Sequence, residues 1–118
     1  MALEHFDWEI GDVIVVHFQG PITLGDATAR FRQIIHETLD AGKHKIVLNL
    51  AEVYYIDSSG LGELVAAHTT ISHRGGQLKL AKLTPRVQDV VQLTKIYRIM
   101  EVFADEDAAV RSFGPTHQ

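Results

Sequence analysis

The period of the apolar positions changes several times along the chain, and each change marks an element. Residues 4–10 and 13–19 read as two strands separated by Gly11-Asp12, a turn signal, so they are expected to form an antiparallel pair. Gly20-Pro21 breaks the second strand. From about residue 24 to 41 the apolar side chains Ala27, Phe31, Ile34, Ile35 and Leu39 recur at helical spacing, and Gly42 follows as a C′ residue. Thr23 with Asp26 three residues on resembles a capping arrangement for this helix. Residues 45–50 form a buried-type strand, and 51–57 a loop. A second helix is expected from about 59 to 73, with Leu61, Leu64, Val65, His68 and Ile71 on one face and Gly75-Gly76 as its stop. A short strand at 77–81 precedes Thr84-Pro85, an N-cap followed by proline at the first helical position, which opens a helix to about Leu93. A last strand at 99–103 and a last helix at 105–113 complete the pattern, with 114–118 expected to fray.

Strands alternating with helices after an antiparallel start imply a single α/β domain spanning residues 1–118, with its core at about 4–113. The sheet is expected to be mixed and mostly parallel, with about four helices, the second and third packed beside each other. Internal repeats, low-complexity tracts and linkers are absent. At 118 residues the chain buries one core without disulfides or metal. It contains no cysteine, which excludes thiolate catalysis and fits a reducing cytoplasm. A net charge of −4, with only scattered basic residues such as Lys79, Lys82 and Arg86, argues against a nucleic-acid footprint. The first residues, Met1-Ala2-Leu3-Glu4-His5, lack the basic start and apolar run of a signal peptide, and no apolar stretch approaches a membrane span.

Chemistry concentrates in residues 56–62, Ile-Asp-Ser-Ser-Gly-Leu-Gly, where a strand hands over to a helix. The first backbone N–H groups of a helix are unpaired and its dipole is positive there, so the corner suits an anion or an acceptor hydroxyl. The same place needs a residue to cap the helix, and Ser58, Ser59 and Asp57 all qualify. Gly60 and Gly62 each cost the helix about 1 kcal/mol relative to alanine. They are expected to leave its first turn bare for close approach or packing.

Enzyme signatures fail on inspection. Ile56 stands where a nucleophile elbow needs glycine, Val65 where a dinucleotide fingerprint needs one, and Glu37 where a P-loop needs one. His36-Glu37 is followed by Thr38-Leu39-Asp40, so the H-E-x-x-H metal motif is incomplete, and no metal or other cofactor is expected. The seven histidines read as scattered surface residues, with His68 in or near the core. Asp105-Glu106-Asp107 is the acidic start expected of a helix.

The segment Asp57-Ser58-Ser59-Gly60-Leu61-Gly62, with Val47-Leu48-Asn49-Leu50 before it and Gly75-Gly76-Gln77-Leu78 after it, resembles the STAS domains of bacterial anti-sigma factor antagonists. The likeness extends from about Val13 to Phe113 in element order as well as motif. It implies a non-enzymatic cytoplasmic regulator whose partners are an anti-sigma factor with serine kinase activity and a metal-dependent serine/threonine phosphatase. It implies that Ser58 is the phosphoacceptor, and that Asp57, Ser59, Gly60, Leu61, Gly62 and Thr23 meet the partner. Nucleic acid and membrane are not among the implied partners. Thr23 departs from the family, which usually has an aspartate there. The same resemblance also admits a scaffold or transporter-associated module, and the corner itself admits a small-ligand or nucleotide sensor.

Overall fold

Residues 13–16 and 46–48 are unbroken apolar runs, the signature of strands covered on both faces. The computed structural model describes residues 2–114, and it places these two strands inside the sheet. In chain order the elements are β1 (Glu4–Ile10), β2 (Val13–Gln19), α1 (Asp26–Asp40), β3 (Lys45–Glu52), α2 (Ser58–His73), β4 (Gln77–Ala81), α3 (Pro85–Thr94), a 3-10 turn (Ile96–Arg98), β5 (Glu101–Phe103) and α4 (Glu106–Arg111). The sheet order is β1-β2-β3-β4-β5, with β1 antiparallel to β2 and every later neighbour parallel. Parallel neighbours cannot be joined by a hairpin, and crossovers of one hand that step in one direction put their helices on one face. Accordingly α1, α2 and α3 bury Phe31, Ile34, Leu64, Ile71 and Val87 against Phe18, Leu48 and Leu80 on that face. The opposite face, Val13, Val15, Val47 and Ala81, is covered by α4 through Ala109, with Trp8, Phe103 and Phe113 at its margin.

The fold is the expected α/β domain, with several local corrections. The first helix begins at Asp26, two residues later than its apolar period suggests, because Gly25 at φ 111° turns the chain. Thr23 does not cap it: the N-cap is Gly25 with no side-chain bond, and Thr23 contributes its carbonyl, which accepts the N–H of Thr28 at 3.2 Å. The third strand continues to Glu52, because β2 pairs with it that far across an irregularity between His17 and Gln19. The last strand starts at Glu101, two residues later than expected, since the Ile99 and Met100 N–H groups bond back to the Ile96 carbonyl of the 3-10 turn. The last helix spans Glu106–Arg111, with Asp105 as its N-cap. The close helix pair is α1 with α2; α2 and α3 meet chiefly through the core they share. Thr84 caps α3 as its sequence suggests, accepting the Val87 N–H at 3.4 Å, and its hydroxyl donates to the Val53 carbonyl at 3.0 Å. His68 is half-buried, as expected. Of the tail expected to fray, residues 115–118 lie outside the described residues. Among the described residues no helix is long and apolar enough to cross a membrane.

Candidate phosphoacceptor site

β3 ends at Glu52 on the side of the sheet where the parallel strands stop, and the chain passes through Val53, Tyr54, Tyr55 and Ile56 into α2. This loop lies against the one that joins β2 to α1. Ile22 and Ile56 form a parallel bridge, the Ile22 N–H donates to the Tyr55 carbonyl at 3.0 Å, and the Asp57 N–H donates to the Ile22 carbonyl at 3.4 Å. Ile22, Val53 and Ile56 are buried, so the base of the corner is apolar and fixed while its rim stays open to solvent.

Asp57 is the N-cap of α2. Its backbone is extended, and its Oδ1 accepts the Gly60 N–H at 2.8 Å. Oδ2 accepts the Leu24 N–H from the neighbouring loop at 3.0 Å. One carboxylate thus satisfies an orphan donor of the helix and ties two loops together. The Leu24 N–H first, and the Gly60 N–H second, hold the Asp57 carboxyl below the usual carboxylate range.

Of the three capping candidates Asp57 is the cap, and neither Ser58 nor Ser59 takes that role. Asp57 reaches the Gly60 N–H, so Ser58 becomes the first residue of the helix and Ser59 the second. Ser59 is half-buried, whereas Ser58 is exposed. The two glycines divide as well. Gly60 is buried, and a Cβ built there collides with the Ile22 carbonyl and approaches Ile56 Cγ2 at 2.8 Å. Its role is to let the first turn of α2 lie on the backbone of the β2–α1 loop. A Cβ at Gly62 meets nothing within 4 Å, so only Gly62 leaves the bare surface expected of both. Leu61 is half-buried and packs on the core.

The two loops of the corner also carry exposed residues that the motif does not contain. Leu24 is 77% exposed, Tyr54 49% and Tyr55 37%, and the Arg86 guanidinium lies 4.8 Å from the Tyr55 ring centroid. The sequence held one signal for them, namely large apolar residues inside segments read as loops. The concavity between α1 and α2, lined by Phe31, Arg32, His36, Glu63, Ala67 and Thr70 among others, does not reach Ser58. The corner therefore offers an exposed hydroxyl on a fixed base, rimmed by apolar and aromatic side chains.

A candidate anti-sigma factor antagonist of Thermotoga maritima is 30% identical over 94 residues, which cover 80% of this chain and 83% of that protein. The crystal structure of a candidate anti-sigma factor antagonist from Thermotoga maritima superposes with a TM-score of 0.85 at 27% identity, covering 92% of both chains. SpoIIAA, an anti-sigma factor antagonist of Bacillus, shares the fold in two chemical states. Its unphosphorylated form gives a TM-score of 0.68 at 18% identity, covering 95% of this chain and 100% of that one. Its phosphorylated form gives 0.70 at 20% identity, covering 93% and 99%. The STAS domain family model matches residues 8–109, nearly the whole of the sheet and its helices, and this chain belongs to the STAS domain family.

Proposed function

We propose that this chain is an anti-sigma factor antagonist switched by phosphorylation at Ser58. In the unphosphorylated state it binds a cytoplasmic anti-sigma factor that is also a serine kinase, and so frees a sigma factor. Transfer of a phosphoryl group to the Ser58 hydroxyl dissolves the complex, and a metal-dependent serine/threonine phosphatase resets it. Asp57, Ser59, Gly62, Leu61 and Thr23 lie at or beside the partner surface, and Gly60 shapes it from within.

The observation that carries this reading is the exposed Ser58 at the first position of α2, held on a base that Asp57 fixes. A kinase can reach such a hydroxyl without unfolding the domain. Phosphorylation adds about −1.5 to −2 charges. The helix N-terminus favours them by about 0.3–1 kcal/mol, and the adjacent Asp57 carboxylate opposes them by a similar amount. The local terms nearly cancel, so the switch acts on the partner. A dianion inserted between Leu24, Tyr54 and the opposing surface must be desolvated there, and a loss of about 2.8 kcal/mol weakens binding about a hundredfold.

The test is affinity capture with wild type, Ser58→Ala and Ser58→Asp, followed by intact-mass measurement. Wild type is expected to retain an ATP-binding partner and to gain one phosphate from it. Ser58→Ala is expected to bind without gaining phosphate, and Ser58→Asp to lose the partner. Phosphate on the Ser58→Ala protein, or full binding by Ser58→Asp, overturns the assignment.

A further inference from the structure

β1 is one of the two outer strands of the sheet, with β2 as its neighbour. The hairpin turns on Gly11 and Asp12, with Ile10 opposite Val13 as the closing pair. In a two-residue hairpin the closing pair is hydrogen-bonded, and such pairs alternate along an antiparallel ladder. Trp8, Phe6 and Glu4 therefore bond to β2, while the backbone N–H and C=O groups of His5, Asp7 and Glu9 point away from the sheet. An edge of this kind is a template for another strand.

The two faces of that edge differ in chemistry. Phe6, Trp8 and Ile10 lie on the α4 side, where Phe6 is 45% and Ile10 39% exposed. His5, Asp7 and Glu9 lie on the α1 side, where a groove of about 270 Å³ runs between β1 and α1. Ile14, Glu37 and Lys43 also line it. Acids outnumber bases in this groove. Asp7 is exposed and makes no side-chain bond among the described residues. The exposed Glu9 carboxylate meets Lys43 Nζ at 2.7 Å, and Glu37 accepts from Gln33 at 3.0 Å.

We propose that the free edge of β1 binds an extended basic segment of a partner protein, which adds to the sheet as a sixth strand. Lysine or arginine at alternate positions of that segment lies over Asp7, Glu9 and Glu37, and the residues between them are apolar and lie beside Phe6, Trp8 and Ile10. Because side chains of paired residues share a face, the alternation follows from the register alone. A second copy of this chain is the wrong occupant. Two β1 edges brought together place Asp7 and Glu9 of one molecule on the same face as those of the other, and like charges across strands repel. Carboxylates on an edge block self-pairing, and the same carboxylates select a basic strand. The surface shares no residue with the Ser58 corner, so it stands or falls independently of the phosphorylation switch.

The probe is a short blocked peptide that alternates lysine with valine, titrated into the isotope-labelled chain. The amides of His5, Asp7 and Glu9 are expected to shift and to gain protection from exchange, with affinity falling as salt rises. Asp7→Lys with Glu9→Lys is expected to weaken binding by about tenfold or more, with the unfolding midpoint lowered only by the loss of the exposed Glu9–Lys43 pair. The same variant is expected to bind a glutamate–valine peptide in exchange. A fully N-methylated lysine–valine peptide, which keeps the charge but loses its N–H donors, is expected not to bind. The proposal is overturned by any of four results: perturbations confined to other parts of the chain, equal binding of the N-methylated peptide, indifference to the charge reversal, or dimerisation through β1 in place of peptide binding.

Discussion

Asp57 acts at a distance of one side chain and still decides how two loops sit. Its two oxygens serve different donors, the Gly60 N–H and the Leu24 N–H, and asparagine offers only one acceptor oxygen for the pair. Both donors favour the ionised form, and the folded carboxyl titrates below its ordinary value. The stability it contributes is therefore fully present above the unfolded carboxylate pKa of about 3.9 and is lost as pH falls through the lower folded value. Asp57→Asn is expected to be less stable than wild type at neutral pH, with the difference shrinking as pH drops below that range; urea midpoints across an acid series check it. The glycines give a second contrast. Gly62→Ala is expected to stabilise α2 by about 1 kcal/mol, since its Cβ enters open space. Gly60→Ala is expected to destabilise by about 1–3 kcal/mol, the range of overpacking, because its Cβ runs into the Ile22 carbonyl. Thermal unfolding of the two variants measures opposite signs. At this scale the sequence disclosed which residues form the corner but not how they divide the work. Asp57, Ser58 and Ser59 are all good capping residues, and only the position of the helix start, with Leu24 beside it, makes Asp57 the cap and leaves Ser58 outside.

Among the elements, periodicity located every strand and helix, because core-facing side chains must repeat at the spacing of the backbone that carries them. What it missed was non-local. The start of α1 depends on Leu24 and Gly25, whose backbone is committed to Asp57 and to a turn, and Thr23 lost its capping role for that reason. The placement of α4 on the second face is likewise unreadable from a short helix with acids at its start. Polar contacts fasten it there. Glu106 accepts from Trp8 Nε1 at 3.0 Å and from Asn49 Nδ2 at 2.9 Å. Lys79, 5% exposed, donates to Ser112 Oγ at 2.7 Å, pairs with Glu101 at 3.1 Å and lies 4.2 Å from the Phe113 ring centroid. The sequence shows Lys79 only as one of several scattered bases, yet it is an inward-facing residue of β4. Its long aliphatic stem fills space beneath α4, and its ion pair adds little net stability because the Glu101 carboxylate is 65% exposed and solvated. Lys79→Met, which keeps the stem, is expected to change stability by about 1 kcal/mol or less. Lys79→Ala, which opens a cavity under α4, is expected to cost about 2–3 kcal/mol. Urea denaturation of both variants separates packing from charge.

For the whole molecule the question is whether the proposed phosphorylation of Ser58 would reshape the domain or only its surface. The fold favours the surface. The base of the corner is buried through Ile22, Val53 and Ile56, α2 rests on the sheet along its length, and Ser58 stands outside that packing. A phosphate on Ser58 enters solvent, where the helix N-terminus and Asp57 act on it with opposite signs and similar size. Close-packed interiors resist small displacements, so a balanced local perturbation has no route into the core. The phosphorylated protein is therefore expected to match the unphosphorylated one in unfolding free energy to within about 1 kcal/mol, while its affinity for the partner falls about a hundredfold. Denaturation and binding measured on the same two preparations check both halves. A large shift in the unfolding midpoint on phosphorylation would mean that Ser58 couples to the core, and the switch would then be a conformational one. A loss of binding at constant stability locates it where Ser58 and its apolar rim meet the partner.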